Sequence, residues 1–220
     1  MYGTVHSVTY PFVVVIFAVT AWLAYRFYRG RNENRAICLT AFRELMEVFK
    51  PDDQTFTNIG GCVGHHANFS FQDRRPLCEI DATITLLPRH APFYMPISKM
   101  IMKSDRLFLT LYMRCPPPGE GHLIDAGYAD SRGPDITNEY RLEREEIRWG
   151  SQPFYLYYER MKMRDRLLEF VAHHSDPGVI RHIAVVADQR KGFILMTPEE
   201  GKVAEQVKPL LEWFLEVFRN

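Results

Sequence analysis

Residues 10–35 read YPFVVVIFAVTAWLAYRFYRGRNENR, an apolar run that breaks off into arginines. Three readings compete for it: a cleaved secretory signal, a buried core helix, or a permanent membrane anchor. No charged side chain occurs between Ser7 and Tyr25. A helix rises about 1.5 Å per residue and a bilayer core is about 30 Å thick, so the uncharged run is just long enough to cross it. A signal peptide would carry Lys or Arg ahead of its apolar region. Nothing before this run is Lys or Arg, and AVTA and AWLA are weak cleavage sites. A core helix would show a polar face, which the run lacks between Pro11 and Ala24. Trp22, Tyr25, Phe27 and Tyr28 crowd one end, where amphipathic rings favour the headgroup layer. The run reads as a transmembrane anchor, with Val13, Phe17 and Trp22 available to a partner in the membrane.

Charge sets the expected direction. His6 is alone on the N-terminal side, whereas Arg26, Arg29, Arg31 and Arg35 follow the run against one Glu33. The positive-inside bias then predicts a short extracytosolic N-terminus over residues 1–8, a transmembrane helix over 9–28, and one cytosolic domain over 32–220. On this topology the sequon Asn68-Phe69-Ser70 stays unglycosylated. The membrane is the endoplasmic reticulum in a eukaryote or the cell membrane in an archaeon.

The chain beyond the anchor suffices for one domain with a sizeable core. Lys plus Arg number 27 and Asp plus Glu 27, which excludes bulk attraction to nucleic acid. Cys38, Cys62, Cys78 and Cys115 are scattered, and in a reducing compartment they are free thiols rather than disulfides.

Periodicity supplies the elements. Ile37, Ala41, Phe42, Leu45, Val48 and Phe49 recur at helical spacing until Pro51. HHANFSFQDRR and LCEIDATITLLPR read as strands joined by a turn near residues 73–76, PFYMPISKMIMKSD as a short helix, and RLFLTLYMRC as a strand. CPPPGEGH is an extended connection. NEYRLEREEIRW is ambiguous and leans towards a strand at its start. FYLYYERMKMRDRLLEFVAHHSD is helical from about Glu159, and IRHIAVVAD with KGFILMT forms a hairpin. The last helix is expected to open with TPEE, Thr197 as cap and Glu200 closing a capping box. The sum is an α+β domain with a mainly antiparallel sheet.

Chemistry is sparsely signalled. Cys62, His65 and Cys78 form a conceivable zinc set, but paired Cys-x-x-Cys or His-x-x-x-His spacing is absent, and a glycine-bearing turn with ordinary cysteines is the favoured reading. His65 and His66 would point to opposite strand faces, so one could serve at most. Glu143 to Glu146, and His173, His174 and Asp176, read as a solvated face and a helix end. No nucleophile motif stands beside a base, so no enzyme activity and no cofactor are expected. Binding is better signalled. Met95, Met100 and Met102 decorate the short helix, where flexible thioethers suit varied apolar partners such as nascent membrane segments, although packing on the sheet is the plainer alternative. Arg160, Lys162, Arg164 and Arg166 crowd one helix and could meet headgroups or ribosomal RNA, or form a plain solvated face.

GRNENRAICLTAFRELMEVF, LCEIDATITLLPRHAPFYMPISKMIMKSDRLFLTLYM, RLLEFVAHHSDPGVIRHIAVVAD and VKPLLEWFLEV, in this order, resemble the family of coiled-coil domain-containing protein 47, or calumin. The likeness covers about half the chain and consists of packing patterns. It implies the single-span subunit of the PAT complex, which sits beside the Sec translocon at the ribosome, partners the small membrane chaperone Asterix, and assists nascent membrane proteins. The family's acidic lumenal region has no counterpart before Val8, and its basic coiled coil has none after Asn220, which weakens direct ribosome docking. A membrane-tethered metal-dependent enzyme and a membrane-anchored adaptor unrelated to translation are the alternatives.

Overall fold

The computed structural model describes residues 6–137 and 139–219. Most of the expected extracytosolic segment, residues 1–5, lies outside the described residues. The two expected N-terminal helices are one. Helix α1 runs unbroken over His6–Phe49, with Pro11 inside its apolar half. The change of period after Gly30 is a change of surroundings, not of backbone: from Tyr10 to Arg29 α1 is largely exposed, and after Gly30 the stripe Cys38, Ala41, Phe42, Leu45 and Phe49 is buried. The expected boundary between a helix over 9–28 and a domain over 32–220 therefore falls inside one continuous element. The apolar half is long enough to cross a membrane, and none of its most apolar window is buried.

The domain is a nine-stranded antiparallel sheet in the order β1-β2-β3-β4-β9-β8-β5-β7-β6. Its strands are β1 (Asp53–Asn58), β2 (Gly64–Ser70), β3 (Leu77–Thr85), β4 (Arg106–Met113), β5 (Gly121–Asp125), β6 (Glu143–Trp149), β7 (Gln152–Tyr158), β8 (Ile180–Val186) and β9 (Lys191–Met196). Helices α2 (Met95–Met102), α3 (Ala126–Arg132), α4 (Met161–His173) and α5 (Lys202–Val217) complete it. Alternation decides the core: Ile80, Ala82 and Ile84 of β3 face one side with Leu107, Leu109 and Leu111 of β4. The second half of α1, α4 and α5 cover that side in one apolar cluster that includes Phe154, Leu167, Phe214 and Phe218. Its largest members bury about 1.5–3 kcal/mol of transfer free energy each, which dominates the stability of the domain. Helix α3 packs on the reverse side, against β5 and β7, where Tyr155 donates to Asp130 at 3.2 Å.

Helix α5 starts later than TPEE predicts. Gly201, at a φ of 77°, precedes its first turn, and Thr197 instead extends β9 by donating its N–H to Val179. The cap comes from far away in sequence. The buried Glu44 carboxylate of α1 accepts the N–H groups of Gly201 and Ala204 at 2.7 and 2.9 Å. A carboxylate on the orphan donors of a helix start is favoured by both hydrogen bonding and the helix dipole.

Candidate functional site

Where α1 leaves its bare half, a polar clamp joins it to the sheet. Asn34, fully buried, donates to the carbonyls of Cys62 and Leu87, both at 2.9 Å. Arg89 reaches Glu33 at 2.9 Å and Asn34 at 3.1 Å, and grips Asp105 through both carboxylate oxygens at 2.9 and 2.7 Å. Asp105 also accepts the Leu87 N–H at 2.7 Å. Its hydrogen bonds hold the Arg89 guanidinium above its already high ordinary pKa. Gly30 lies so close that a Cβ there would meet the Arg89 carbonyl carbon and oxygen at 2.3 Å. Beyond the clamp the chain climbs back along α1: the His90 ring packs on Phe27 at 5.8 Å, and Phe93 on Trp22 at 6.3 Å. Helix α2 follows, and only Ser98 of it is buried. Phe93 is 72% exposed and Met100 78%, with Tyr94, Ile97 and Ile101 exposed around them. Little of this helix is packed against the rest of the domain. Met95 and Met102 are half-buried. Val13, Phe17 and Trp22 point outward from α1.

The reverse side of the sheet carries a band of interacting polar groups. Asp81 accepts from Asn68 at 2.9 Å and from Tyr112 at 2.9 Å, with His66 at 3.4 Å from it and at 3.0 Å from Thr83. The sequon residue Asn68 also donates to Glu79 and sits on a strand paired on both edges. The band deepens towards β8 and β5. His122 lies 3.2 Å from Glu120 and 3.3 Å from His182, and all three are buried. Burial, then the neighbouring His122, hold the His182 imidazole well below its usual pKa, and its Nδ1 has no partner among the described residues. A cleft of about 220 Å³ opens nearby between the end of α2 and the start of α3, lined by Lys103, Arg106, Asp125, Tyr128 and Arg181.

The zinc set does not assemble. Cys62 lies 3.2 Å from His90, whereas Cys78 donates to the Tyr112 carbonyl at 3.0 Å. His65 pairs with Ile84, six residues along β3 from Cys78, which separates the two by about 20 Å. No group of three metal-ligating side chains occurs among the described residues. Cys62 and His90 make a thiol–imidazole pair, but the ring rests on Phe27 rather than on an orienting carboxylate.

The basic helix face is partly neutralised by the acidic run. Arg164 pairs with Glu145 at 2.8 Å, and Tyr158 bridges Glu143 and Glu145 at 2.8 and 2.7 Å. Those carboxylates push the Tyr158 hydroxyl far above its ordinary pKa of 10. Arg166 lies 3.9 Å from Glu169, and Arg160 reaches the Pro118 carbonyl at 3.4 Å. Missed from sequence were Asn34, Glu44, Arg89 and the Glu120–His122–His182 row, whose partners lie 16 to 160 residues away apart from the neighbouring Glu120.

No protein-family model matches the sequence. No curated protein matches it either. Among solved structures it is similar to the crystal structure of the mycobacterial trehalose monomycolate transport factor A, TtfA. That match has 13% identity and a TM-score of 0.36, and it covers 76% of this chain and 71% of that chain. A likeness this distant carries no functional argument. These comparisons overturn the resemblance to coiled-coil domain-containing protein 47: nothing matched supports that family, and the structural neighbour is no PAT-complex subunit. The Asterix, translocon and ribosome expectations rested on it.

Proposed function

We propose that the chain is a single-pass membrane protein that works by binding rather than by catalysis. The observation that carries this reading is α1 itself, bare and apolar over its first half and continuous with the packed core over its second. A flexible tether would leave the domain free to tumble, whereas this one gives it a fixed bearing on the membrane. The excess of Arg26, Arg29, Arg31 and Arg35 on the domain side of the run supports a cytosolic domain by the positive-inside bias. The reverse side of the sheet, which α3 covers in part, is then presented to a protein partner, for which membrane proteins beside the anchor are the class we infer.

Alkaline carbonate extraction of membranes is the first test, with retention in the pellet expected. Release into the supernatant, or a glycan on Asn68, would overturn the reading. Crosslinking in cells through residues of the reverse face, followed by pull-down, then names the partner. Translocon or ribosomal components would place the protein in membrane-protein biogenesis, and another membrane complex would make it an accessory subunit there.

A further inference from the structure

We infer that α2 and the turn before it are seated in the headgroup layer of the bilayer, alongside the anchor. This rests on the membrane-spanning reading of α1 and adds a second point of contact. The argument is one of levels along a helix. Gly30 is locked against Arg89, and Trp22, eight residues earlier, lies about 12 Å further along the axis. The Phe93 ring packs on the Trp22 ring, so the turns over residues 89–93, side chains included, reach up along the anchor from the clamp. Trp22 precedes Arg26, the first charge after the apolar run, and Phe93 therefore sits level with the uncharged stretch of the anchor.

From there α2 descends. By Asp105 the chain has returned to Leu87 and Arg89, at the level of the clamp. Phe93, Tyr94 and Ile97 occupy the upper part, Met100 and Ile101 the lower, and each is exposed. A helix that buries only Ser98 against its own domain has an apolar surface in want of a partner. Its continuity with the anchor through Trp22 and His90 identifies that partner as lipid. Lys99 and Lys103 are exposed on and just beyond the same helix, placed for their stems to lie along the acyl boundary and their ammonium groups among phosphates.

The full-length protein in phosphatidylcholine–phosphatidylglycerol vesicles tests this with benzoylphenylalanine in place, one at a time, of Phe17, Ile97, Met100 and Asp53. Asp53 is exposed at the end of β1 remote from the clamp. After irradiation, mass spectrometry should find lipid adducts at positions 17, 97 and 100 and none at 53. Lipid at 17 without lipid at 97 or at 100 overturns the seating of α2 and leaves the anchor intact. A crosslink from 97 or 100 to a second copy in place of lipid overturns it too, as does equal lipid labelling at 53. Absence of lipid at 17 removes the anchor reading and this inference with it.

Discussion

Arg89 and Asp105 meet through two parallel hydrogen bonds of 2.9 and 2.7 Å, and this pair closes the joint between the long N-terminal helix and the sheet. The carboxylate is almost fully buried and the guanidinium mostly so. Removing one member leaves the other charge in a poorly solvated site, so Asp105→Ala should cost about 3 kcal/mol in urea unfolding in detergent micelles. The double change Arg89→Met with Asp105→Leu should cost clearly less than the two single changes summed, because neither charge is then stranded. Additive losses would mean that the two groups do not act as a pair.

Gly30→Ala offers a test by sign. Helix propensity alone makes alanine better by about 1 kcal/mol. The added methyl would meet the Arg89 carbonyl at 2.3 Å, so the chain must part at that point and the variant should instead lose about 1–3 kcal/mol. A higher melting temperature would show that α1 does not approach residues 89 and 90 as described.

Glu44→Ala should weaken α5 by about 1–2 kcal/mol, since two N–H groups at the helix start lose a charged acceptor. Glu44→Gln keeps one acceptor and should lose about half as much. Hydrogen exchange at Gly201 and Ala204 reads the effect locally, and unchanged protection there would remove the cap from the account.

Stability should fall on acidification. Burial holds His182 neutral in the folded state well below its ordinary pKa of 6.5, so the unfolded chain takes up a proton there that the native protein refuses. The contribution is present in full above about pH 6.5 and is lost as pH falls below it, by up to about 1.4 kcal/mol per unit. His65, also lowered by burial, adds in the same direction. His182→Phe should flatten the slope by its own share, and an unaltered slope would mean that the ring is solvated.

What could be read from the sequence was what lies close together in it. Alternation in LCEIDATIT and RLFLTLYM found β3 and β4, and the helical stripe from Ile37 to Phe49 found the packed half of α1. Strand β1 escaped because DQTFTN is an edge strand with all six residues exposed, leaving no buried face to pattern. Strand β7 escaped because FYLYY is apolar or aromatic throughout, which hides a period of two. The join at Gly30 read as a boundary because composition changes there, although the backbone does not. The clamp and the histidine row depend on residues brought together by strand order, which no local period encodes. The met helix α2 was legible as apolar and Met-bearing, but its exposure was not.

The absence of any joint in α1 ties the attitude of the sheet to the membrane's own dimensions. If the uncharged stretch is slightly longer than the hydrocarbon it crosses, it leans, and every degree of lean is handed on undiminished to Phe49 and the strands packed there. On the proposed membrane-anchored reading, the exposed side of the sheet would then face differently in thin and thick bilayers, so that lipid composition would steer what it can reach.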